Sequence, residues 1–555
     1  MQENKELPPK YYLTYFQEVI SFLQEKSDHL ISEPEFDFIS RFEQLQENAQ
    51  CLYLRLMNRK GIFFRFEKFN YPEIKNIQEA RDTLFANEFA SIITEAHEDY
   101  KLEILRIFNK GEINKMLSIT EIEPKNYKSL SKNELLEFAF NELSLLDIIE
   151  ESQQFGQVIK QNFIQETEML LFLYFGSLHG EMTSFVVRDV GNLKYESLNQ
   201  DLMTSYFKNR KEAEDKYEVS KTGQFIRLMM EEAPPEEVYE FTFNWLSDHK
   251  EISELAMNRY NKLAARVGRW LEQRKMYNEA ISIYSFSHEP PCRERKVRIL
   301  YKLERFEEAL DICLIIDESP FNAEEKYFSL DFKNKILNKK SKKIATLVKN
   351  EAETIFVSDI FKNKVELGVL DYFEEQGKNG FFSENHLWRN LFGLILWDEI
   401  FEMDQGQLHN PFQRAPSDFF KPTFLKNRRQ KIKKKLAILQ NQDEALALIT
   451  QTFNEKLGVV NPMVSWNDDT LAIIKALLSI VKKQAIEAVL LKMAENLKEN
   501  TRGFPDLFIW DDAGYSFIEV KSPNDTLSSQ QLYWLEFFSE QKIKAGVLNV
   551  KWKKF

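Results

Sequence analysis

Asp506, Glu519 and Lys521 are spaced for chemistry on phosphate esters. They lie in residues 501–521, TRGFPDLFIWDDAGYSFIEVK, with the first acid directly after Pro505 and the other two in a Glu-Val-Lys run. Between the acids stand an apolar run (Leu507 to Trp510), an Asp511-Asp512-Ala513-Gly514 turn and a second run from Tyr515 to Val520. Two apolar runs joined by an Asp/Gly turn predict a β-hairpin that brings Asp506 back towards Glu519. Alternation along the second strand puts Glu519 and Lys521 on one face and Ile518 and Val520 on the other. Two carboxylates beside an ammonium suit a magnesium-dependent phosphodiesterase. The acids hold a hard cation through oxygen, and the lysine orients water or neutralises developing charge. The bland alternative is an edge strand with surface charges. Against it, Pro505 restricts the backbone before the acid, and the flanking runs are apolar enough to be buried, where a Glu and a Lys need a reason.

A helix with Ser528 or Thr526 at its N-cap and Gln531, Leu532, Leu535 and Phe538 along it is predicted next, then a strand over Ala545 to Val550. Hairpin, helix and strand in that order resemble the core of the PD-(D/E)xK nuclease superfamily. Arg502-Gly503-Phe504-Pro505-Asp506-Leu507, Glu519-Val520-Lys521-Ser522-Pro523-Asn524-Asp525, Leu527-Ser528, Gln531 and Trp534-Leu535 are similar to its VRR-NUC branch, and there to the Fanconi-associated nuclease family, bacterial members included. Upstream, Glu384 to Trp388 and Leu391 to Phe401 resemble the helix that opens that family's nuclease domain. Ala49 to Leu56, Arg59-Lys60-Gly61 and Phe64-Arg65 look like its first domain. Tyr174-Phe175-Gly176 and Phe185 to Asp189 look like its middle.

From spacing alone, Glu384 reads as an acid in the first turn of a helix, where it suits the helix dipole. The resemblance implies more: Glu384, Asp506 and Glu519 as metal ligands with the Val520 carbonyl as a further candidate, Mg2+ or Mn2+ as the ion, and Lys521 orienting the attacking water. Gln531 would position that water or the backbone, or serve as a hydrogen-bonded core amide. The implied activity is structure-selective cleavage of branched or 5′-flap DNA, as 5′-flap endonuclease and 5′-to-3′ exonuclease, in interstrand crosslink repair. A basic pocket for the terminal 5′-phosphate is also implied, with Lys498 and one of Arg293 or Arg295. Its third position falls on Gln530 rather than a cation, which departs from the family pattern. Two alternatives stay open: a Holliday-junction-type resolvase, and a helical-repeat scaffold whose nuclease domain is degenerate.

The chain has 555 residues, enough for three or four domains. Its three cysteines, Cys51, Cys292 and Cys313, form no Cys-x-x-Cys pair, so a disulfide framework or a zinc finger is not expected. The first residues, MQENKELPPK, are polar and charged rather than a signal peptide, and no apolar run reaches the ~20 residues of a spanning helix. A cytoplasmic protein without membrane contact is expected, nucleoid-associated if bacterial.

Net charge is −13, but charge is segregated. Residues 421–435, KPTFLKNRRQKIKKK, hold eight basic residues and no acid, Arg428, Arg429 and Lys433 among them; residues 542–555 hold five and no acid. Either run is a solvated face or a phosphate-contacting patch, and an acidic chain can bind DNA through such patches with salt-sensitive affinity.

Apolar spacing predicts a mainly α, multidomain chain. Residues 1–165 read as a helical DNA-binding region of winged-helix and SAP-like character. Arg55, Arg59 and Lys60 are interleaved there with aromatics for phosphate contact and stacking, and Ser131 and Glu134 form a capping box. Residues 166–375 read as helices. Met276 to Ile281 and Arg305 to Leu310 echo each other 29 residues apart, like tetratricopeptide-type repeats. By the resemblance, residues 376–555 are expected to be the α/β nuclease domain, with a helical insertion within 402–500. A homodimer on DNA is a further possibility.

Overall fold

The structure is a computed structural model and describes residues 7–191, 193–338, 342–404 and 406–553. Lys554 and Phe555, at the end of the second basic run, lie outside the described residues. The chain divides into two units, one of residues 1–191 and 205–210, the other of residues 192–204 and 211–555.

The first unit is helical, with a small antiparallel sheet. Helices Tyr11–Lys26, Glu33–Gln44 and Glu47–Met57 bury an aromatic set that includes Phe16, Phe38, Phe42 and Tyr53. Three short strands, β1 (Phe63–Arg65), β2 (Ala90–Ile92) and β3 (Val158–Gln161), pair in the order β1-β3-β2. A second core gathers Ile104, Phe108, Ile113, Leu135 and Ile148. The capping box forms as the spacing predicts: the Ser131 amide donates to Glu134 Oε2 at 2.7 Å and starts the helix Lys132–Glu142.

In the second unit, helices Glu254–Gln273, Tyr277–Tyr284, Cys292–Lys302 and Phe306–Glu318 pack each against the next. The echo in the sequence has a backbone counterpart. Lys275 and Glu304, also 29 residues apart, both take positive φ (66° and 60°) at the turns that precede Tyr277–Tyr284 and Phe306–Glu318. Such non-glycine residues are uncommon in this region, and their recurrence marks one turn used twice.

The nuclease part is a five-stranded sheet in the order β4-β8-β7-β6-β5, made of β4 (Glu353–Ser358), β5 (Asn379–Phe382), β6 (Leu507–Asp511), β7 (Gly514–Lys521) and β8 (Ala545–Lys553). Strands β5, β6 and β7 form an antiparallel meander, and β8 runs parallel to both β7 and β4. The predicted hairpin is β6–β7; its turn is closed by Asp511 Oδ1, which accepts from the amides of Ala513 (2.8 Å) and Gly514 (3.0 Å). Helix Ser529–Glu540 connects β7 to β8, and helices Thr423–Leu436, Gln442–Glu455, Thr470–Ile480 and Lys483–Glu495 fill the insertion between β5 and β6.

Two expectations need correction. Strand β4 lies inside the stretch read as helical, so the sheet begins upstream of residue 376; its Ile355 and Val357 join Leu507, Ile509, Ile518 and Val520 in the core on one face of the sheet. Glu384 does not occupy a helical turn. The helix starts at His386, and Glu384 stands in the turn before it at φ 22°, because the amides of Ser383 and Glu384 are both taken by the Asp506 carbonyl (2.8 and 2.9 Å).

Candidate active site

The opposite face of the sheet positions the acids. Leu507 pairs with Ile518 in the β6–β7 register, so Asp506 stands one step further out, across from Glu519 and on its face. Under them lies an aromatic cluster of Trp388, Phe504, Phe517, Trp534 and Phe538, with Phe504 stacked on Trp534 at 4.1 Å. Phe504 sits two residues before Asp506 and Phe517 two before Glu519, so one packed layer fixes both strands. Gly503, at φ 81°, lets the chain pass against Gln530: a Cβ there would come within 2.7 Å of the Gln530 side chain.

Glu519 is 1% and Lys521 7% exposed. The Lys521 ammonium donates to Glu519 Oε1 at 2.8 Å, and the Gln531 side-chain amide donates to the same oxygen at 2.5 Å. Gln531 Oε1 accepts from Lys521 Nζ (3.3 Å) and from the Ser528 amide (2.9 Å). Gln531 is therefore both the capping-box partner of Ser528 and the side chain that ties acid to lysine. Asp506 Oδ2 accepts from the Val520 amide at 2.8 Å. The Val520 side chain belongs to the core on the other face, so only its backbone faces the acids.

This arrangement sets two carboxylates against one ammonium. Burial, foremost, pushes Asp506 up to about 6; the Val520 hydrogen bond and Lys521 oppose the shift, while Glu366 and Glu384 add to it. Burial and then the neighbouring Asp506 push Glu519 up to about 8, against the pull of Lys521. Glu519 Oε2 is buried and has no hydrogen-bond partner among the described residues. A half-buried and a buried carboxylate side by side, with a spare oxygen, fit a hard divalent cation, which would repay the desolvation. The Glu384 backbone is fixed against Asp506, and its carboxylate accepts from the Asn385 side-chain amide at 3.2 Å. Among the described residues, no three acidic, histidine or cysteine side chains already surround one point. The Asp506–Glu519 pair is the formed part of the site, with Glu384 adjoining it.

Glu366 is the acid that sequence reasoning missed. It lies in the first turn of the helix Val365–Glu374, half-buried, and its charge acts on Asp506. Its only sequence signal is that of any acid near a helix N-terminus.

The basic residues fare unevenly. Arg428 is not a surface contact, which corrects that expectation: it is 1% exposed and paired with Asp418 at 2.8 Å, on the face of helix Thr423–Leu436 that also buries Phe424 and Ile432. Arg429 and Lys433 lie on the exposed face with Lys426, and none of the three has an ion pair among the described residues. Arg293 grips the fully buried Glu325, and Arg295 grips Glu272 with its Nε at 2.9 Å. Lys498 is exposed, 3.6 Å from Glu499. Gln530 is buried, 5% exposed, against Gly503 rather than presented to a pocket. In the first unit, Arg55, Arg59 and Lys60 line a cavity of about 470 Å³ with Tyr11 and Tyr12. Arg55 is held there by Glu73 (Nε at 2.9 Å), and Arg59 donates to the Tyr71 hydroxyl at 2.7 Å.

Comparison with known proteins agrees with this architecture. A family model described as "FAN1, HTH domain" matches residues 10–91, and one for the VRR-NUC domain matches residues 440–552. The chain is 25% identical to a Fanconi-associated nuclease 1 homolog of Pseudomonas aeruginosa, over 98% of this chain and 96% of that one. It is 24% identical to the homolog of Arabidopsis thaliana, over 99% of this chain and 68% of the relative. Crystal structures of paFAN1 bound to 5′-flap DNA with a gap, carrying a 2-nucleotide or a 1-nucleotide flap, superpose with TM-scores of 0.82 and 0.81 at 25% identity; each covers 99% of this chain and all of the other. No helix among the described residues is long and apolar enough to cross a membrane. With two domain models matched and likeness along its whole length, the chain is similar throughout to Fanconi-associated nucleases.

Proposed function

We propose that this protein is a structure-selective, metal-dependent DNA nuclease that hydrolyses phosphodiester bonds near a 5′ flap, as endonuclease and as 5′-to-3′ exonuclease, in the repair of interstrand crosslinks. The reading is supported most by one observation: Asp506 and Gln531 meet the buried Glu519 and Lys521 in one hydrogen-bonded corner at the ends of β6 and β7. Asp506 and Glu519 would hold Mg2+ or Mn2+, with Glu384 and the Val520 carbonyl completing the set. Bound there, the ion supplies Lewis-acid polarisation of the phosphate.

Lys521 orients the attacking water and offsets charge growing on the phosphate oxygens. Gln531 holds the ammonium and the Glu519 carboxylate in register. The new bond joins water oxygen to phosphorus, the bond from phosphorus to the sugar oxygen breaks, that oxygen takes up one proton, and the water's other proton passes to solvent. Arg429, Lys433 and Lys498, with Arg59 and Lys60 of the first unit, would contact the DNA backbone. Arg55, Arg293 and Arg295 would do so only by giving up part of their present ion pairs.

The test is cleavage of end-labelled 5′-flap DNA by purified protein with and without divalent ion. Metal-dependent cutting near the flap that is lost in Asp506→Asn is expected. Preference for four-way junctions over flaps would favour a resolvase instead, and cutting that survives Asp506→Asn would defeat the site.

A further inference from the structure

The segment that follows Lys521 is not held by its own turn alone. Ser522, Pro523 and Asp525 point their backbone carbonyls at one ammonium, that of Lys349: Nζ donates to the Ser522 oxygen at 3.1 Å, to the Pro523 oxygen at 3.2 Å and to the Asp525 oxygen. A lysine ammonium has three donors and no acceptor, so three carbonyls exhaust it. Inside the loop, Asp525 Oδ2 accepts the Ser522 amide at 2.9 Å. Lys349 is itself fixed. Its helix, Ile344–Glu351, packs Ile344, Ala345 and Val348 against Leu527, Leu532 and Val547. The Asn549 side chain on β8 donates to the carbonyls of Lys349 (2.8 Å) and Ala352 (3.3 Å). Asn549 lies opposite Lys521 in the β7–β8 register.

We propose that Lys349 is a positioning residue for cleavage. It clamps residues 522–525 and so fixes where Lys521 leaves β7 and how its ammonium meets Glu519 and Gln531. The proposal rests on the role given to Lys521 above. Carbonyl oxygens turned together repel one another, so without the ammonium the loop separates them to reach water. Lys521 then loses its fixed starting point while the metal-ligating acids, held by the aromatic layer, keep theirs. The predicted signature is a loss of turnover without a loss of DNA binding, on the scale of about 10- to 100-fold seen for outer supports of catalytic groups.

The test compares wild type with Lys349→Met and Lys349→Arg by hydrogen exchange and by single-turnover cleavage of 5′-flap DNA. In Lys349→Met, faster exchange confined to the segment around residues 522–527, slower cleavage and an unchanged Kd for DNA are expected, with partial recovery in Lys349→Arg. Unaltered exchange in that segment overturns the clamp. A weaker Kd with an unchanged single-turnover rate overturns the positioning role and makes Lys349 a DNA contact. If Lys349→Met does not fold, Lys349→Gln carries the same comparison. The exchange readout decides the clamp even if wild type cuts no flap, an outcome that would overturn the nuclease reading alone.

Discussion

The backbone amide of Glu384 donates a 2.9 Å hydrogen bond to the carbonyl oxygen of Asp506, joining the end of β5 to the start of β6 across the whole helical insertion. With the Ser383 amide on the same oxygen at 2.8 Å, the carbonyl fixes two residues at once. The acid upstream of the insertion therefore reaches the hairpin acids through backbone.

Removing either hairpin acid is expected to abolish cutting. Asp506→Asn and Glu519→Gln keep shape but lose charge. Each should lower kcat by at least about a hundredfold, the scale of a metal ion's contribution to transition-state stabilisation, with DNA affinity little changed. Single-turnover cleavage with a parallel binding titration checks this.

Metal binding should release protons. Asp506 and Glu519 are held near 6 and 8 in the ion-free protein, above their ordinary values of 3.8 and 4.5. The folded state thus binds more protons than the unfolded one from about pH 4 to 8. Stability from this pair is greatest at low pH and falls as pH rises through 6 and 8. Affinity for Mn2+ should rise across the same window. Calorimetric titration at pH 6 and pH 8 in buffers of different ionisation enthalpy measures both the affinity and the protons released.

Gln531 separates positioning from folding. Gln531→Ala removes the amide that bridges Lys521 and Glu519, leaving only their direct 2.8 Å contact and one donor fewer on Glu519 Oε1. A roughly 10- to 100-fold loss in kcat with unchanged KM is expected, in line with other residues that orient catalytic groups. An unchanged kcat would make Gln531 a capping residue alone.

The two arginines that are adjacent in sequence should behave oppositely. Arg428→Ala strips a partner from the buried Asp418 and should destabilise the protein by about 3–5 kcal/mol, read by denaturant unfolding. Arg429→Ala and Lys433→Ala should leave stability unchanged, weaken DNA binding and reduce the slope of log K against log salt by about 1 each.

The hairpin was legible because its alternation is local: Ile518 and Val520 face one core, Phe517 and Glu519 the other, as a period of two requires. The Ser131 cap was legible for the same reason, since it is a four-residue pattern, and of the two candidates Thr526 and Ser528 the fold uses Ser528. What escaped depends on partners remote in sequence. Strand β4 is six residues long and is stabilised by β8, at the other end of the nuclease part, so a helical neighbourhood hid the Ile355–Val357 alternation. Glu384 read as helical because nothing nearby announces the Asp506 carbonyl. Arg428 sits in a run of cations, and only the fold brings Asp418 beneath it.

The most direct test of the central claim is the position of Mn2+ in crystals soaked with that ion, located by its anomalous signal. The account predicts a peak between the Asp506 and Glu519 carboxylates, with the Glu384 carboxylate turned towards it and oxygen distances near 2.0–2.3 Å, roughly those of hard divalent ions. A peak elsewhere, or an Asp506–Glu519 pair that stays ion-free at saturating Mn2+, would contradict it.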